Sequence, residues 1–355
     1  MKVAILTFTY GDNYGQRLQN LAVQEILHCY FEDVYTIKQT PLEYPIGFKI
    51  KNNVKQLLSG NYCYLLKRHQ NFLRFDEKYI RYYDIPISEK TASSFPEKDF
   101  DYYIAGSDQI WSPYSEDVNS TLFLQFVSPD KRIALSPSIA AEEVPTNKVE
   151  LYKKYLTGFH YLSSREYTGS QLISMLSGKK VETLIDPTLM FDADFWDKYE
   201  KKPDIELQDD YALIYMLGSN QENEKIKSFC STHKLKMVNL MKGKKYLTLG
   251  PDAFIYLIHN AKIVFTDSYH GTIFSILHRK PFVVSNRGGT SLNMNSRFQT
   301  LYYKLGIRSR SFSQLDTSAP FEIDFEGIFE KLRDERVIFR EYLERCLVEE
   351  KGYDN

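Results

Sequence analysis

His270 stands in the stretch Thr266-Asp267-Ser268-Tyr269-His270-Gly271-Thr272, which follows the apolar run Lys262-Ile263-Val264-Phe265 and precedes Thr272-Ile273-Phe274-Ser275-Ile276-Leu277. A chain that leaves a strand here and enters a helix offers the His270 imidazole and the N–H groups of Gly271, Thr272 and Ile273 to one anion, aided by the helix dipole. The same pattern also reads as a capped turn, with Asp267 or Ser268 holding the helix N–H groups and His270 tucked into the core. Arg165, in Ser163-Ser164-Arg165-Glu166, has the same strand-to-helix setting. Its guanidinium suits a carboxylate or phosphate, and an ion pair with Glu166 or another surface ion pair is the competing reading. Asn286-Arg287-Gly288-Gly289 closes a further strand with a basic residue and two glycines, and Arg297 follows within a short loop. Glycines admit an anion close to the backbone, and they serve an ordinary loop equally well.

Two other patterns invite chemistry. Asp192-Ala193-Asp194 has the spacing of a carboxylate pair that holds a metal in some glycosyltransferases, but either Asp is well placed to cap the helix bearing Phe195 and Trp196, so no metal is assigned. Residues 48–75 carry six basic side chains, Lys49, Lys51, Lys55, Lys67, Arg68 and Arg74, and no acid, among apolar residues such as Leu57, Leu58, Leu65, Leu66 and Phe72. Such a segment either packs as ordinary helix or rests on an anionic membrane surface.

The elements that must position these residues follow from apolar periodicity. Val3–Thr9 reads as a buried strand, the turn from Tyr10 to Gly15 follows, and Leu18, Leu21, Ala22 and Ile26 recur at helical spacing. Further strands are expected at Tyr102–Ala105, Arg132–Leu135, Phe159–Ser163 and Thr183–Ile185, each ending in polar residues. Gly106-Ser107-Asp108-Gln109 and Asp186-Pro187-Thr188 are two of those ends. Strands alternating with helices argue for a mostly parallel sheet covered on both faces, with ligands beyond the strand ends. The charged stretch Lys201–Asp210, with Pro203, is the expected linker. Strand Tyr211–Leu217 then opens a second unit, followed by a helix with Phe254, Leu257, Ile258 and Ala261, strand Lys262–Phe265, helix Thr272–His278 and strand Phe282–Ser285. Ile328, Leu332, Phe339, Tyr342, Leu343 and Cys346 give a terminal helix expected to return to the first lobe.

Composition narrows the function class. A chain of 355 residues is long enough for two domains. Its 45 Lys plus Arg against 46 Asp plus Glu leave no overall field to draw nucleic acid. Cys29, Cys63, Cys230 and Cys346 form no C-x-x-C pair, which speaks against a zinc knuckle or a disulfide framework. The N-terminal apolar run is too short for a signal peptide or span, so a cytoplasmic protein is expected.

Taken together, the motifs resemble the polysaccharide pyruvyl transferase family. Asn13-Tyr14-Gly15 with Leu18-Gln19, Gly106-Ser107-Asp108-Gln109-Ile110-Trp111, Ser164-Arg165-Glu166, Asp186-Pro187-Thr188 and Thr266–Thr272 carry the resemblance, and Gly250-Pro251, Asn260-Ala261, Lys280-Pro281-Phe282 and Asn295-Ser296-Arg297-Phe298 fall in the expected order. It runs from about Thr7 to Arg310, with one departure: Ala134-Leu135-Ser136-Pro137-Ser138-Ile139 stands where relatives commonly have an aromatic-Ala-Ala-Ser-Phe-Gly run.

The resemblance implies an α/β fold with two Rossmann-like domains facing across a cleft, as in GT-B glycosyltransferases. Residues 1–200 are expected on the acceptor side, 201–320 on the donor-phosphate side, and 321–355 as a helical segment returning to the first domain. It implies transfer of the pyruvyl group of phosphoenolpyruvate onto two hydroxyls of one sugar, with a cyclic ketal formed and phosphate released. No cofactor is implied beyond that co-substrate. The acceptor is expected to be a bacterial surface polysaccharide or its lipid-linked precursor, met at the inner face of the cell membrane.

By the same resemblance Arg165 and His270 are the catalytic pair that holds the donor, and the local patterns add Ser268, Gly271, Thr272, Asn286, Arg287, Gly288 and Arg297 to the donor-site candidates. Asp12, Asn13, Tyr14, Asp108 and Gln109 are the acceptor-side candidates. A GT-B nucleotide-sugar glycosyltransferase would share the fold, and a non-catalytic glycan-binding homologue would share it without the chemistry.

Overall fold

The computed structural model describes residues 1–40, 60–116, 118–207, 210–218, 222–285, 295–312 and 320–348. Asn286, Arg287 and Gly288, and the 48–59 part of the basic segment, lie outside the described residues.

The chain begins with β1 (Lys2–Leu6), in which Val3, Ala4, Ile5 and Leu6 are all fully buried. A continuous apolar run of this kind marks a central strand covered on both faces. Helix α1 (Tyr14–Leu27) starts at Asn13, whose side chain accepts the Gln16 N–H at 3.4 Å. Then come β2 (Asp33–Gln39), α2 (Tyr62–Tyr79), β3 (Tyr82–Ile87), β4 (Tyr102–Ala105), β5 (Arg132–Ala134), α3 (Val149–Thr157), β6 (Ser163–Ser164), α4 (Tyr167–Ser177) and β7 (Glu182–Thr183). The first sheet runs β3-β2-β1-β4-β5, every pair parallel. A parallel bridge from Ile133 to Tyr161 continues it toward the β6-β7 pair. The order reverses between β1 and β4, so the crevice past Leu6 and Ala105 is where an open parallel sheet receives ligands.

After the short helix α5 (Ala193–Asp197), the second lobe comprises β8 (Tyr211–Tyr215), α6 (Asn223–Thr232), β9 (Lys236–Asn239), α7 (Pro251–His259), β10 (Ile263–Thr266), α8 (Tyr269–Leu277), β11 (Phe282–Val284) and α9 (Asn295–Leu305). Its parallel sheet runs β11-β10-β8-β9 and reverses between β8 and β10. There the Asp267 carboxylate accepts the N–H groups of Leu217 and Gly218, both at 2.7 Å, and pins the turn after β8 to the turn after β10.

The lobes share one apolar core. Tyr14 of α1 is fully buried, and its ring stacks on Phe254 of α7 with centroids 4.6 Å apart. Because α1 is buried on nearly every side, several of its polar groups bond internally: Arg17 Nε meets both Asp76 oxygens at 3.0 Å, and Gln24 Nε2 donates to Thr36 Oγ1 at 2.7 Å. The C-terminal helix α10 (Phe325–Val348) returns to the first lobe, where Tyr342 Oη donates to the Ala134 carbonyl at 2.7 Å. Arg336 donates to the carbonyls of Leu189 and Phe191 and to Asp192 Oδ1.

Two details differ from expectation, at Asp192 and at Arg68. Asp192 sits at the N-cap of α5, but its side chain pairs with Arg336 and caps nothing. Of the apolar residues of α2, Phe72 and Phe75 are buried in packing, while Leu66 and Leu73 are exposed. Arg68, counted among the basic membrane contacts, is buried as well and donates to Tyr14 Oη at 2.7 Å and to the Asp12 carbonyl at 3.0 Å. Among the described residues no helix is long and apolar enough to cross a membrane.

Candidate active site at the lobe junction

Arg165 follows β6 and is 1% exposed. Its Nη1 donates to Asp186 Oδ2 at 2.7 Å, and its Nη2 stands 3.8 Å from Asp108 Oδ1. Nε and Nη2, which form one edge of the guanidinium, have no hydrogen-bond partner. Burying a cation with an unspent donor edge is costly unless something else occupies that edge.

Asp186, just past β7, is the hinge of the arrangement. Its Oδ1 accepts the Thr188 N–H at 3.0 Å and the Thr188 hydroxyl at 2.7 Å, while its Oδ2 lies 3.5 Å from His270 Nε2. Burial alone would raise the carboxyl, but His270, Arg165 and the Thr188 hydrogen bond hold it well below the usual carboxylate range. Arg165 from the first lobe and His270 from the second therefore meet at one carboxylate.

His270 lies in the first turn of α8, one residue past its start. Nε2 has no hydrogen-bond partner. The ring rests against Gly15 of α1 so closely that a Cβ there would come within 2.0 Å of Nδ1. Gly15 is thus the residue that admits the imidazole between the lobes.

The turn is capped, which corrects the expectation of free helix donors. Ser268 Oγ accepts the Gly271 N–H at 3.3 Å, and the Ser268 carbonyl accepts the Thr272 N–H at 3.1 Å and the Thr272 hydroxyl at 3.3 Å. Ser268, Gly271 and Thr272 hold the turn that aims His270, and their groups are spent inside it. The stretch is a capped turn, and it sets the His270 imidazole beside Asp186.

Arg297 joins from α9. With its amide oxygen turned toward the guanidinium, Gln109 accepts from Nη1 and Nη2 of Arg297 at 2.8 and 2.7 Å. The Tyr269 ring lies 4.8 Å from the Arg165 guanidinium carbon and 5.4 Å from that of Arg297. Burial and the neighbouring Arg165 push the Arg297 guanidinium down to about 10, so it stays charged at neutral pH. Its Nε has no partner.

Backbone strain gathers at the same strand ends. Asp108 takes φ 92°, and Ser136 and Ala140 take φ 48° and 50°. Non-glycine residues in this region persist only where the surroundings hold them, and they concentrate at functional sites. Glu166 supplies part of that hold: its Oε1 accepts from Ser138 Oγ and from the N–H groups of Ile139 and Ala140 at 3.0, 2.8 and 2.9 Å. The loop that departs from the family pattern is therefore clamped by Glu166, and Arg165 pairs with the buried Asp186 rather than with Glu166.

The acceptor-side candidates divide. Asp108 and Gln109 touch Arg165 and Arg297. Asp12 lies at the edge, with His69 Nδ1 2.9 Å from its carboxylate, and Asn13 is spent as a helix cap. Tyr14 is core: its hydroxyl donates to the Leu249 carbonyl at 3.1 Å and accepts from Arg68. Sequence reasoning singled out neither Asp186 nor Glu166 as a site residue, although both fall inside quoted motifs.

Comparison with known proteins adds two findings. The model of the family described as "Polysaccharide pyruvyl transferase" matches residues 13–288, and no curated protein matches the chain. Among solved structures, the Staphylococcus aureus MnaA–UDP co-structure aligns with TM-score 0.50 and 10% identity, covering 98% of this chain and 97% of that one. A Listeria monocytogenes protein provisionally described as a UDP-N-acetylglucosamine 2-epimerase gives TM-score 0.50 at 9% identity, over 98% of this chain and 90% of the other. MurG from Acinetobacter baumannii gives 0.43 at 8% identity, over 95% of each chain. At 9–10% identity the likeness to the two structures with TM-score 0.50 is one of fold alone, α/β with two parallel sheets in the GT-B manner.

Proposed function

The chain belongs to the polysaccharide pyruvyl transferase family, and from that premise we propose that it moves the pyruvyl group of phosphoenolpyruvate onto two hydroxyls of one sugar in a bacterial surface polysaccharide or its lipid-linked precursor. The observation that carries this reading is the meeting of Arg165 and His270 at Asp186, where the Nε/Nη2 edge of Arg165 and Nε2 of His270 make no hydrogen bond and have only longer contacts, 3.8 Å from Nη2 to Asp108 and 3.5 Å from Nε2 to Asp186. The donor carries a carboxylate and a phosphate, and the site offers a planar fork and an imidazole.

In this account the donor carboxylate or phosphate takes the free edge of Arg165, while Asp186 holds Nη1 and fixes the fork. Protonation of the donor methylene makes C2 electrophilic. One sugar hydroxyl attacks C2, the C2–O bond to phosphate breaks with proton donation from His270 Nε2, and the second hydroxyl closes on C2 to complete the ketal, the two hydroxyl protons lost balancing the one gained by the methylene carbon and the one that leaves with phosphate. Phosphoenolpyruvate and a diol thus become a ketal and inorganic phosphate, with no redox change. Asp108, whose strained backbone faces Arg165, and Gln109 stand nearest to receive the sugar, and Arg297 completes the anion environment from the second lobe.

The test is phosphate release from phosphoenolpyruvate in the presence of lipid-linked galactose, glucose and mannose acceptors, with the product read by mass spectrometry. Acceptor-dependent release with a ketal product is expected. Sugar transfer from nucleotide sugars, with phosphoenolpyruvate inert, would contradict it.

A further inference from the structure

On the side of the second lobe away from the Arg165 site, four potential ligands from three helices converge. Asp197 ends α5, Glu200 follows it, His259 ends α7 and His278 caps the end of α8. His259 Nδ1 lies 3.4 Å from Asp197 Oδ1 and 2.9 Å from Glu200 Oε2, and His278 Nδ1 lies 3.6 Å from the same Asp197 oxygen. One ligand atom from each of Asp197, His259 and His278 falls within 4.8 Å of the other two.

The cluster is poorly explained as packing. His278 is 6% exposed, yet neither ring nitrogen has a hydrogen-bond partner, and Asp197 Oδ1 has none either. Buried polar atoms are ordinarily satisfied, and an imidazole with both nitrogens idle beside an idle carboxylate oxygen calls for a missing partner common to both. The two imidazole rings lie nearly parallel, 21° apart, with centroids 4.8 Å apart, so both are held in place against the same carboxylate.

We propose that Asp197, His259 and His278, with Glu200 as the fourth ligand, form a binding site for one divalent transition-metal ion, zinc by the chemistry of its donors. Zinc held by nitrogen and oxygen at about 2.0–2.1 Å in a tetrahedron spaces its ligand atoms about 3.3 Å apart. The 3.4 and 3.6 Å separations already match that edge. Two imidazoles with carboxylates favour zinc over calcium or magnesium, which take oxygen ligands. His259 and Asp197 are about a third exposed at their side chains, which gives the ion a path in. On binding, the ion displaces the proton that His259 Nδ1 shares with Glu200, and Glu200 Oε2 turns to the fourth position.

The site has a structural consequence for the reaction centre. Helix α8 carries His270 in its first turn and His278 at its end, eight residues or about 12 Å apart along the axis. The segment that supplies Asp186 continues directly into α5 and Asp197. An ion bridging Asp197 and His278 therefore fastens together the two elements whose other ends form the Asp186–His270 contact. It acts as a staple and touches no substrate.

The experiment uses the full chain stripped with a chelator, then titrated with Zn(II) in competition with a chromophoric chelator, and in parallel with Co(II) followed by its ligand-field absorption. One equivalent is expected to bind, with the Co(II) form giving a four-coordinate spectrum. Asp197→Asn and His278→Gln should each weaken Zn(II) binding at least about tenfold, while His160→Gln, an exposed histidine elsewhere, leaves it unchanged. Asp197→Asn keeps the side-chain volume, so it serves if His278→Gln does not fold. Absence of stoichiometric binding to wild type, or equal binding by wild type and Asp197→Asn, would overturn the proposal.

Discussion

Gly15 of the first lobe lies against the imidazole of His270 in the second, with room for a hydrogen and none for a methyl group: a Cβ at position 15 would approach Nδ1 to 2.0 Å and Cγ to 2.5 Å. Gly15 is helical, so its small size rather than backbone freedom is what the position requires.

Gly15→Ala should therefore displace His270 while leaving the fold in place. The overpacking is expected to cost about 1–3 kcal/mol of stability. An imidazole moved by about an ångström should lower kcat on the order of a hundredfold. Turnover of the folded variant, checked by circular dichroism, tests this; wild-type kcat in Gly15→Ala would show that His270 is not where the chemistry needs it.

Asp186 gives a pH signature. Its folded carboxyl sits below the ordinary range because His270 and Arg165 outweigh burial. The stability it contributes is then fully present above the unfolded value of roughly 3.9 and is lost as pH falls below that toward the folded one. Asp186→Asn leaves the buried Arg165 unpaired, which is expected to cost about 3–5 kcal/mol at neutral pH, and it should flatten the acid limb of the stability profile. Urea denaturation from pH 7 down to pH 3 reads both effects, and an unchanged acid limb would mean that Asp186 is not ionised through its contacts with Arg165 and His270.

Tyr14 separates packing from substrate binding. Its hydroxyl serves Leu249 and Arg68, and its ring stacks between Phe254 and Phe72. Tyr14→Phe should lower stability by about 1–3 kcal/mol by leaving the Leu249 carbonyl and an Arg68 donor without that partner. The acceptor KM should not move. A raised acceptor KM with unchanged stability would return Tyr14 to the sugar site.

What the sequence made legible is the local chemistry. The continuous apolar runs of β1, β8 and β10 announce buried parallel strands, and the polar residues past them announce the crevice. Arg165 and His270 stand out as candidates by their strand-to-helix turns, which leave their role open, and by the family resemblance, which favours a donor site. β2, β3 and β9 were not legible, since β3 is a mostly exposed edge strand and β2 and β9 mix Lys, Asp and Asn with their apolar residues. Asp186 reads as an ordinary turn residue, and only the tertiary fold brings it between Arg165 and His270. Gln109 and Arg297 are separated by most of the chain, and their contact depends on how the lobes close. The same holds for Asp197, His259 and His278, which have no spacing that local pattern reading would notice.

The central claim is that the free edge of Arg165 and the His270 imidazole hold one anionic donor. Calorimetric titration of phosphoenolpyruvate into wild type, Arg165→Lys and His270→Ala tests it most directly. One molecule should bind wild type, and Arg165→Lys, which keeps the charge but loses the planar fork, should weaken binding by about 1.5–3 kcal/mol, as should His270→Ala. Equal affinity in folded wild type and both variants would contradict the account, and so would binding of a sugar nucleotide at this site with no binding of phosphoenolpyruvate.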